Sequence, residues 1–171
     1  TFFAVEEAKK AGAVISYDPN YRPLLWKSEE EAIEKMRSMI PYADIMKISD
    51  EETELLSGKA DPKEAAEVLL GQGVSCVVVT LGADGAILKT KNVEVQVKGK
   101  PRKAVDTTGA GDSFWGGLLS RLALNNVKPA DLTAEQAVEY LTFANAVAGL
   151  CVEKRGAIPA MPTLEQVMNE L

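Results

Sequence analysis

Asp106-Thr107-Thr108-Gly109-Ala110-Gly111-Asp112-Ser113-Phe114 places two glycines, two carboxylates and three hydroxyls within nine residues. The run sits between a β-like stretch ending near Val105 and an apolar-periodic segment, Phe114 to Leu124, with the spacing of a helix. Glycines carry no Cβ, so the N–H groups of Gly109, Ala110 and Gly111 can close on an anion. The helix that follows adds its own unpaired amides and the positive end of its dipole. Asp112, in the first turn, would repel that anion. Its presence makes sense if it faces a second substrate that has a proton to lose. The chemistry is then phosphoryl transfer, with the turn holding the migrating group and Asp112 acting as base toward an acceptor hydroxyl. Threonine caps, glycines and an early aspartate are also ordinary ingredients of a helix start. The length of the run is what raises it above that background.

The rest of the chain has to position this turn. Phe2 to Lys10 reads as a helix stopped by Gly12, and Ala13 to Tyr17 as a buried strand. Helices are expected over Glu29–Met39, Asp50–Leu56 and Pro62–Leu70, the last with Asp61 as N-cap. Strands are expected over Asp44–Ile48 and Val74–Leu81, with Cys76-Val77-Val78-Val79 apolar on both faces as in a central parallel strand. A hairpin follows, Ala86–Thr90 and Val93–Val97 across Lys91-Asn92. Helices Gly111–Leu124 and Ala134–Cys151 and a last one from Thr163 complete the pattern. Alternating strands and helices predict an α/β fold: three layers, a mainly parallel sheet with helices on both faces. Ligands in such sheets bind beyond the carboxyl ends of the strands, where the candidate residues fall. The chain reads as one unit over residues 1–171. Its abrupt entry into mid-sheet suggests a piece of a larger protein, and the apolar sheet edge of such a piece predicts self-association, a homodimer being the expected form.

Composition narrows the chemistry. The formal charge is −6, which argues against nucleic acid or an anionic membrane as the main partner. No apolar run is long enough to span a bilayer and none has the form of a signal peptide. Cys76 and Cys151 lie in apolar surroundings without a paired framework and read as reduced core residues, which fits the cytoplasm. The chain has no histidine. That removes Ser-His-Asp and Cys-His nucleophile systems and the common zinc-hydrolase designs, leaving base chemistry to a carboxylate, lysine, tyrosine or thiol. No G-x-x-x-x-G-K-[ST] run occurs, so a nucleotide would not be held by a P-loop.

The nine-residue run resembles the C-terminal signature of the ribokinase-like (PfkB) carbohydrate kinases. A second segment, Asp18-Pro19-Asn20-Tyr21-Arg22 trailed by Leu25-Trp26, resembles the D-P-N-x-R…L-W pattern of fructokinases and of 2-keto-3-deoxygluconate kinases. By its own chemistry, a planar guanidinium beside polar Asp18 and Asn20 can meet a phosphate or a sugar. The resemblance implies that Asn20 and Arg22 lie where the sugar and nucleotide sites join, with Asp112. It also implies that Glu52 is the glutamate of the family's N-x-x-E motif, which helps to arrange Mg²⁺ through water. Ser49 stands where that motif has asparagine. Thr80, Gly82 and Gly85 match a T-L-G…G segment that contacts nucleotide phosphates and ribose, and Asn145 matches a position lining the adenine pocket. Asp106, Thr108, Cys151 and Gly156 match positions that hold a monovalent cation, K⁺ in relatives.

The implied reaction is transfer from ATP to a sugar hydroxyl, with fructose preferred and 2-keto-3-deoxygluconate or another sugar as the alternative. A non-catalytic nucleotide-binding module stays open beside it. The resemblance covers only the C-terminal portion of the family's domain. The early glycine- and asparagine-rich sugar-binding segment and the small β lid are absent from this stretch. The isolated piece is therefore expected to phosphorylate nothing alone.

Overall fold

Alternation of side chains along one central strand builds the layers of this chain. The structure is a computed structural model describing residues 1–171. In β3 (Cys76–Thr80), Cys76 and Val78 face one side of the sheet while Val77 and Val79 face the other, and all four are buried. Such two-sided burial needs a helical layer on each face. On one face lie α2 (Glu29–Met39), α3 (Thr53–Ser57) and α4 (Pro62–Gly71), with Ala32, Met36, Leu56, Ala66 and Leu69 packed on Met46, Ile48, Val77 and Val79. On the other lie α5 (Ala110–Leu124) and α6 (Ala134–Cys151), with Phe114, Leu118, Tyr140 and Leu141 packed on Ile45, Val78 and Leu88. The expected three layers are present.

The sheet runs β1-β2-β3-β4-β5 in chain order. Here β1 is Ser16–Tyr17, β2 Ile45–Ser49, β4 Ala86–Thr90 and β5 Glu94–Val97. β1, β2 and β3 are parallel, whereas β4 pairs antiparallel with β3 and β5 with β4. Parallel pairings therefore end where the connections become too short for a crossover. The sheet is thus mixed, three parallel strands extended by the expected antiparallel hairpin.

Helix ends follow local chemistry. Ser28 accepts the Glu31 amide, and Asp61 accepts those of Lys63 and Glu64. Thr133 and Gln136 exchange side-chain and backbone bonds at the start of α6. Thr163 and Gln166 repeat that exchange at α7 (Leu164–Glu170). The first helix, α1 (Phe2–Lys10), ends as Gly12 takes φ 80°.

Two expected strands differ. The run from Ala13 forms a ladder only at Ser16 and Tyr17, and Val14 is 50% exposed, because β1 is an edge strand with a neighbour on one side only. No strand leads into Val105. Pro101 has no amide to offer a ladder, and the amides of Val105 and Asp106 turn instead to the Val152 carbonyl at the end of α6. The segment Asp50–Leu56 opens as a 3₁₀ turn, Asp50–Glu52, before α3. Both cysteines are free and buried, as expected for core residues.

Candidate active site

The turn before α5 is held by Asp106. One carboxylate oxygen accepts the Thr108 amide and the other the Gly156 amide, each at 2.9 Å. These bonds, that from Gly156 foremost, lower the Asp106 carboxyl to a pKa of about 2. Gly109 then takes φ 80°, a conformation that favours glycine, and reverses the chain into the helix. The Ser113 amide returns to the Gly109 carbonyl at 2.8 Å.

The free donors are not quite those expected. The Ala110 amide closes the turn on the Thr107 carbonyl at 3.2 Å, so its N–H is already engaged. The amides of Gly109, Gly111 and Asp112 have no acceptor within the chain. Asp112 is exposed and enters no ion pair.

Two hollows flank this turn. A cavity of about 320 Å³ lies over the carboxyl end of β3 and is lined in part by Thr80, Gly82, Gly85, Asn145, Phe114 and Arg102. All four residues matched to nucleotide contacts thus come together. Asn145 donates to the Val97 carbonyl at 3.1 Å, which pins the end of β5 against α6. Gly85 has φ 92°, and a Cβ there would stand 2.0 Å from the Val97 carbonyl oxygen, so close approach of the hairpin excludes any side chain. A second hollow of about 410 Å³ is lined only by polar and glycine residues: Asn20, Arg22, Lys47, Thr107, Thr108, Gly109, Gly111 and Asp112. Asn20 and Arg22 therefore share a cleft with Asp112. Thr107 and Gly111 belong to both walls. The turn is the partition between the two hollows.

Lys47 and Asp18 were not singled out by sequence reasoning. Lys47 sits within buried β2, and its ammonium meets Asp18, which follows β1, at 2.6 Å. Burial pushes the Asp18 carboxyl above its ordinary range, against the pull of Lys47. A lysine in a strand that is otherwise apolar from Ile45 to Ile48 was the available signal.

Glu52 lines neither hollow. Its Oε1 accepts the Tyr21 amide at 2.6 Å, and its Oε2 accepts the Ser49 amide at 2.8 Å and the Ser49 hydroxyl at 3.1 Å. The carboxylate ties the Asp18–Arg22 segment to the end of β2. Of its four lone-pair sites one stays open, which fits a water-mediated contact with a metal better than direct ligation. No group of three or more His, Cys, Asp or Glu side chains gathers to hold a metal ion.

Of the four residues matched to a cation site, Asp106, Thr108 and Gly156 are joined by hydrogen bonds. Cys151 is buried at the end of α6, its carbonyl accepting the Lys154 amide at 3.3 Å. A carboxylate and carbonyl oxygens fit a hard cation by donor type.

A nucleotide-sized cavity and a polar cleft sharing one glycine-rich helix start, on a three-layer α/β sheet, define a ribokinase-like kinase fold. Residues 1–164 match the pfkB family carbohydrate kinase, and the chain belongs to that family. It is 42% identical over 170 residues to fructokinase-2 of Solanum habrochaites, covering 98% of this chain and 51% of that protein. A double mutant of the fructokinase from Vibrio cholerae O395, in fructose-, ADP- and potassium-bound form, superposes with a TM-score of 0.90 at 33% identity, covering 98% of this chain and 53% of that one. The ATP-bound fructokinase from Xylella fastidiosa gives a TM-score of 0.87 at 31% identity, over 98% and 54%. The chain spans about half the length of the relatives it matches.

Proposed function

We propose that this chain is the nucleotide and catalytic-base half of a kinase that moves the terminal phosphoryl group of ATP to a hydroxyl of fructose. One observation carries the reading: the amide-lined turn is the shared wall of a cavity suited to a nucleotide and a polar cleft holding Asp112. A group leaving one hollow has only the Thr107–Gly111 turn to cross before it enters the other.

In the proposed reaction the bond from the γ-phosphorus to the β,γ-bridging oxygen breaks, and ADP departs with the electron pair. A bond from the sugar oxygen to phosphorus forms, and the hydroxyl proton passes to Asp112. A carboxylate suffices as base because the transition state is loose and the proton leaves late. The free amides of Gly109 and Gly111 stabilise charge on the migrating group, each such donor being worth about 3 kcal/mol at comparable sites. Asn20 and Arg22 line the acceptor side, and Thr80, Gly82, Gly85 and Asn145 the donor side. Glu52 would hold, through water, a Mg²⁺ ion that supplies positive charge to the nucleotide phosphates. A monovalent cation, K⁺, would sit on the Asp106, Thr108, Cys151 and Gly156 oxygens.

Fructose is preferred because the relatives and neighbours named above are fructokinases. The sugar-binding and lid segments are placed outside this stretch, in the half of the relatives that it does not span. No helix is long and apolar enough to cross a membrane. Two free buried cysteines suit a reducing compartment, and we place the enzyme in the cytoplasm. A homodimer completes the reading.

The test is ADP release by the full-length protein across a panel of fructose, 2-keto-3-deoxygluconate and ribose. The highest kcat/KM is expected with fructose. ADP release no faster with any sugar than without one would overturn the reading and leave a nucleotide-binding module.

A further inference from the structure

Lys47 is placed where a lysine should not be for stability alone. It is 5% exposed, on the face of β2 that looks toward α5, and a Cβ on Gly111 would stand 3.3 Å from its ammonium. That puts a buried cation against the positive end of a helix, where the dipole disfavours it. Burial adds a desolvation cost that one partner rarely repays. The only partner is Asp18, through one oxygen at 2.6 Å. The other Asp18 oxygen is buried and accepts no hydrogen bond. Lys47, Arg22 and the free amides of Gly109 and Gly111 thus converge on one cleft, whose only lining carboxylate is Asp112.

An anion of high charge density resolves this excess. We propose that Lys47 is a further catalytic residue, its ammonium touching the oxygens of the phosphoryl group as that group crosses Gly111, and that Asp18 is the positioning residue that holds it there. The assignment rests on the phosphoryl-transfer reading above. Lys47 takes no part in the proton transfer. It supplies fixed charge to the equatorial oxygens, while the bonds made and broken and the proton taken by Asp112 are unchanged. Asp18 holds the ammonium through one oxygen at 2.6 Å. It fixes the long side chain without competing for the free amides.

The experiment uses the full-length protein with Lys47→Met, Lys47→Arg and Asp18→Asn. Lys47→Met is expected to lower kcat about 100-fold, the size seen when one transition-state donor is removed, with KM for ATP and for fructose nearly unchanged. Lys47→Arg restores part of the loss, and Asp18→Asn lowers kcat in the same direction but less. Two further readouts separate chemistry from structure. Wild-type protein binds ADP with aluminium fluoride more tightly than ADP alone, and Lys47→Met loses most of that increment while its affinity for ADP alone persists. The rate penalty for replacing ATP by ATPγS also shrinks in Lys47→Met. An unchanged aluminium fluoride increment and an unchanged ATPγS penalty in a folded Lys47→Met or Lys47→Arg protein would overturn the proposal. Wild-type protein that phosphorylates no sugar would instead overturn the parent reading.

Discussion

The Gly156 amide donates to the Asp106 carboxylate at 2.9 Å, tying the loop after α6 to the turn that opens α5. Two segments fifty positions apart in the chain thereby share one charge. Because amides and not a salt bridge dominate, Asp106 should stay ionised deep into acid, with a pKa of about 2. A carboxyl lowered by folding stabilises the protein fully above its unfolded value of about 4. That contribution is lost as pH falls through 2. Asp106→Asn is therefore expected to melt lower than wild type above pH 5, with the gap closing toward pH 2. Thermal melts from pH 6 to 2 check this, and a constant gap would contradict it.

Asp112 lines the polar cleft, exposed and without a cationic partner. Asp112→Asn in the full-length enzyme should lower kcat by about 10²- to 10⁴-fold, the range for loss of a general base. ADP affinity, measured by isothermal titration, should stay within a few-fold of wild type, since Asp112 is not part of the nucleotide cavity wall. Near-normal turnover would remove Asp112 from its role.

Glu52 accepts two backbone amides, from Tyr21 and Ser49, and is buried. Glu52→Ala leaves both without a partner and should cost roughly 3 kcal/mol of stability. Glu52→Gln should recover only part, because one end of the amide presents a donor to a donor. Urea midpoints of the two variants measure the difference. Loss of activity without loss of stability would assign Glu52 to metal binding alone.

A Cβ at Gly109 would meet the Ala157 Cβ at 2.7 Å, and its φ of 80° strains any other residue. Gly109→Ala should destabilise the turn by about 1–2 kcal/mol from backbone strain alone. Adding Ala157→Gly removes the Cβ contact but leaves the 3.0 Å approach to the Cα of residue 157 and the strain. Melting of the double variant should therefore fall between the single variant and wild type, with kcat still depressed because the free amides are re-aimed.

Much of the fold was legible because its signals are local. Ser28, Asp61, Thr133 and Thr163 mark helix starts by side-chain capping, and they do so whatever packs around them. The four valine-rich positions of β3 similarly announce burial on both sides. The strand expected before Val105 failed because a ladder needs a neighbour, and α6 supplied a carbonyl to those amides first. The buried strand expected from Ala13 failed for the same reason at an edge.

The site divides in the same way. Gly109, Gly111 and Asp112 lie within four residues and carry their chemistry in their order. Lys47 and Asp18 lie 29 positions apart and meet only because β1 and β2 run parallel in register. Glu52 matched by position, but its first duty, holding Tyr21 to Ser49, depends on a bond across 31 residues. Composition at one position carries no trace of such a partner.

The shared wall formed by Thr107 and Gly111 has a stereochemical consequence. In the proposed reaction, donor and acceptor would stand on opposite sides of one bend, and phosphorus would be handed over once, with no relay on a side chain. A terminal group made chiral with oxygen isotopes should arrive on the sugar as its mirror image, whereas an even number of hand-overs would return it unchanged.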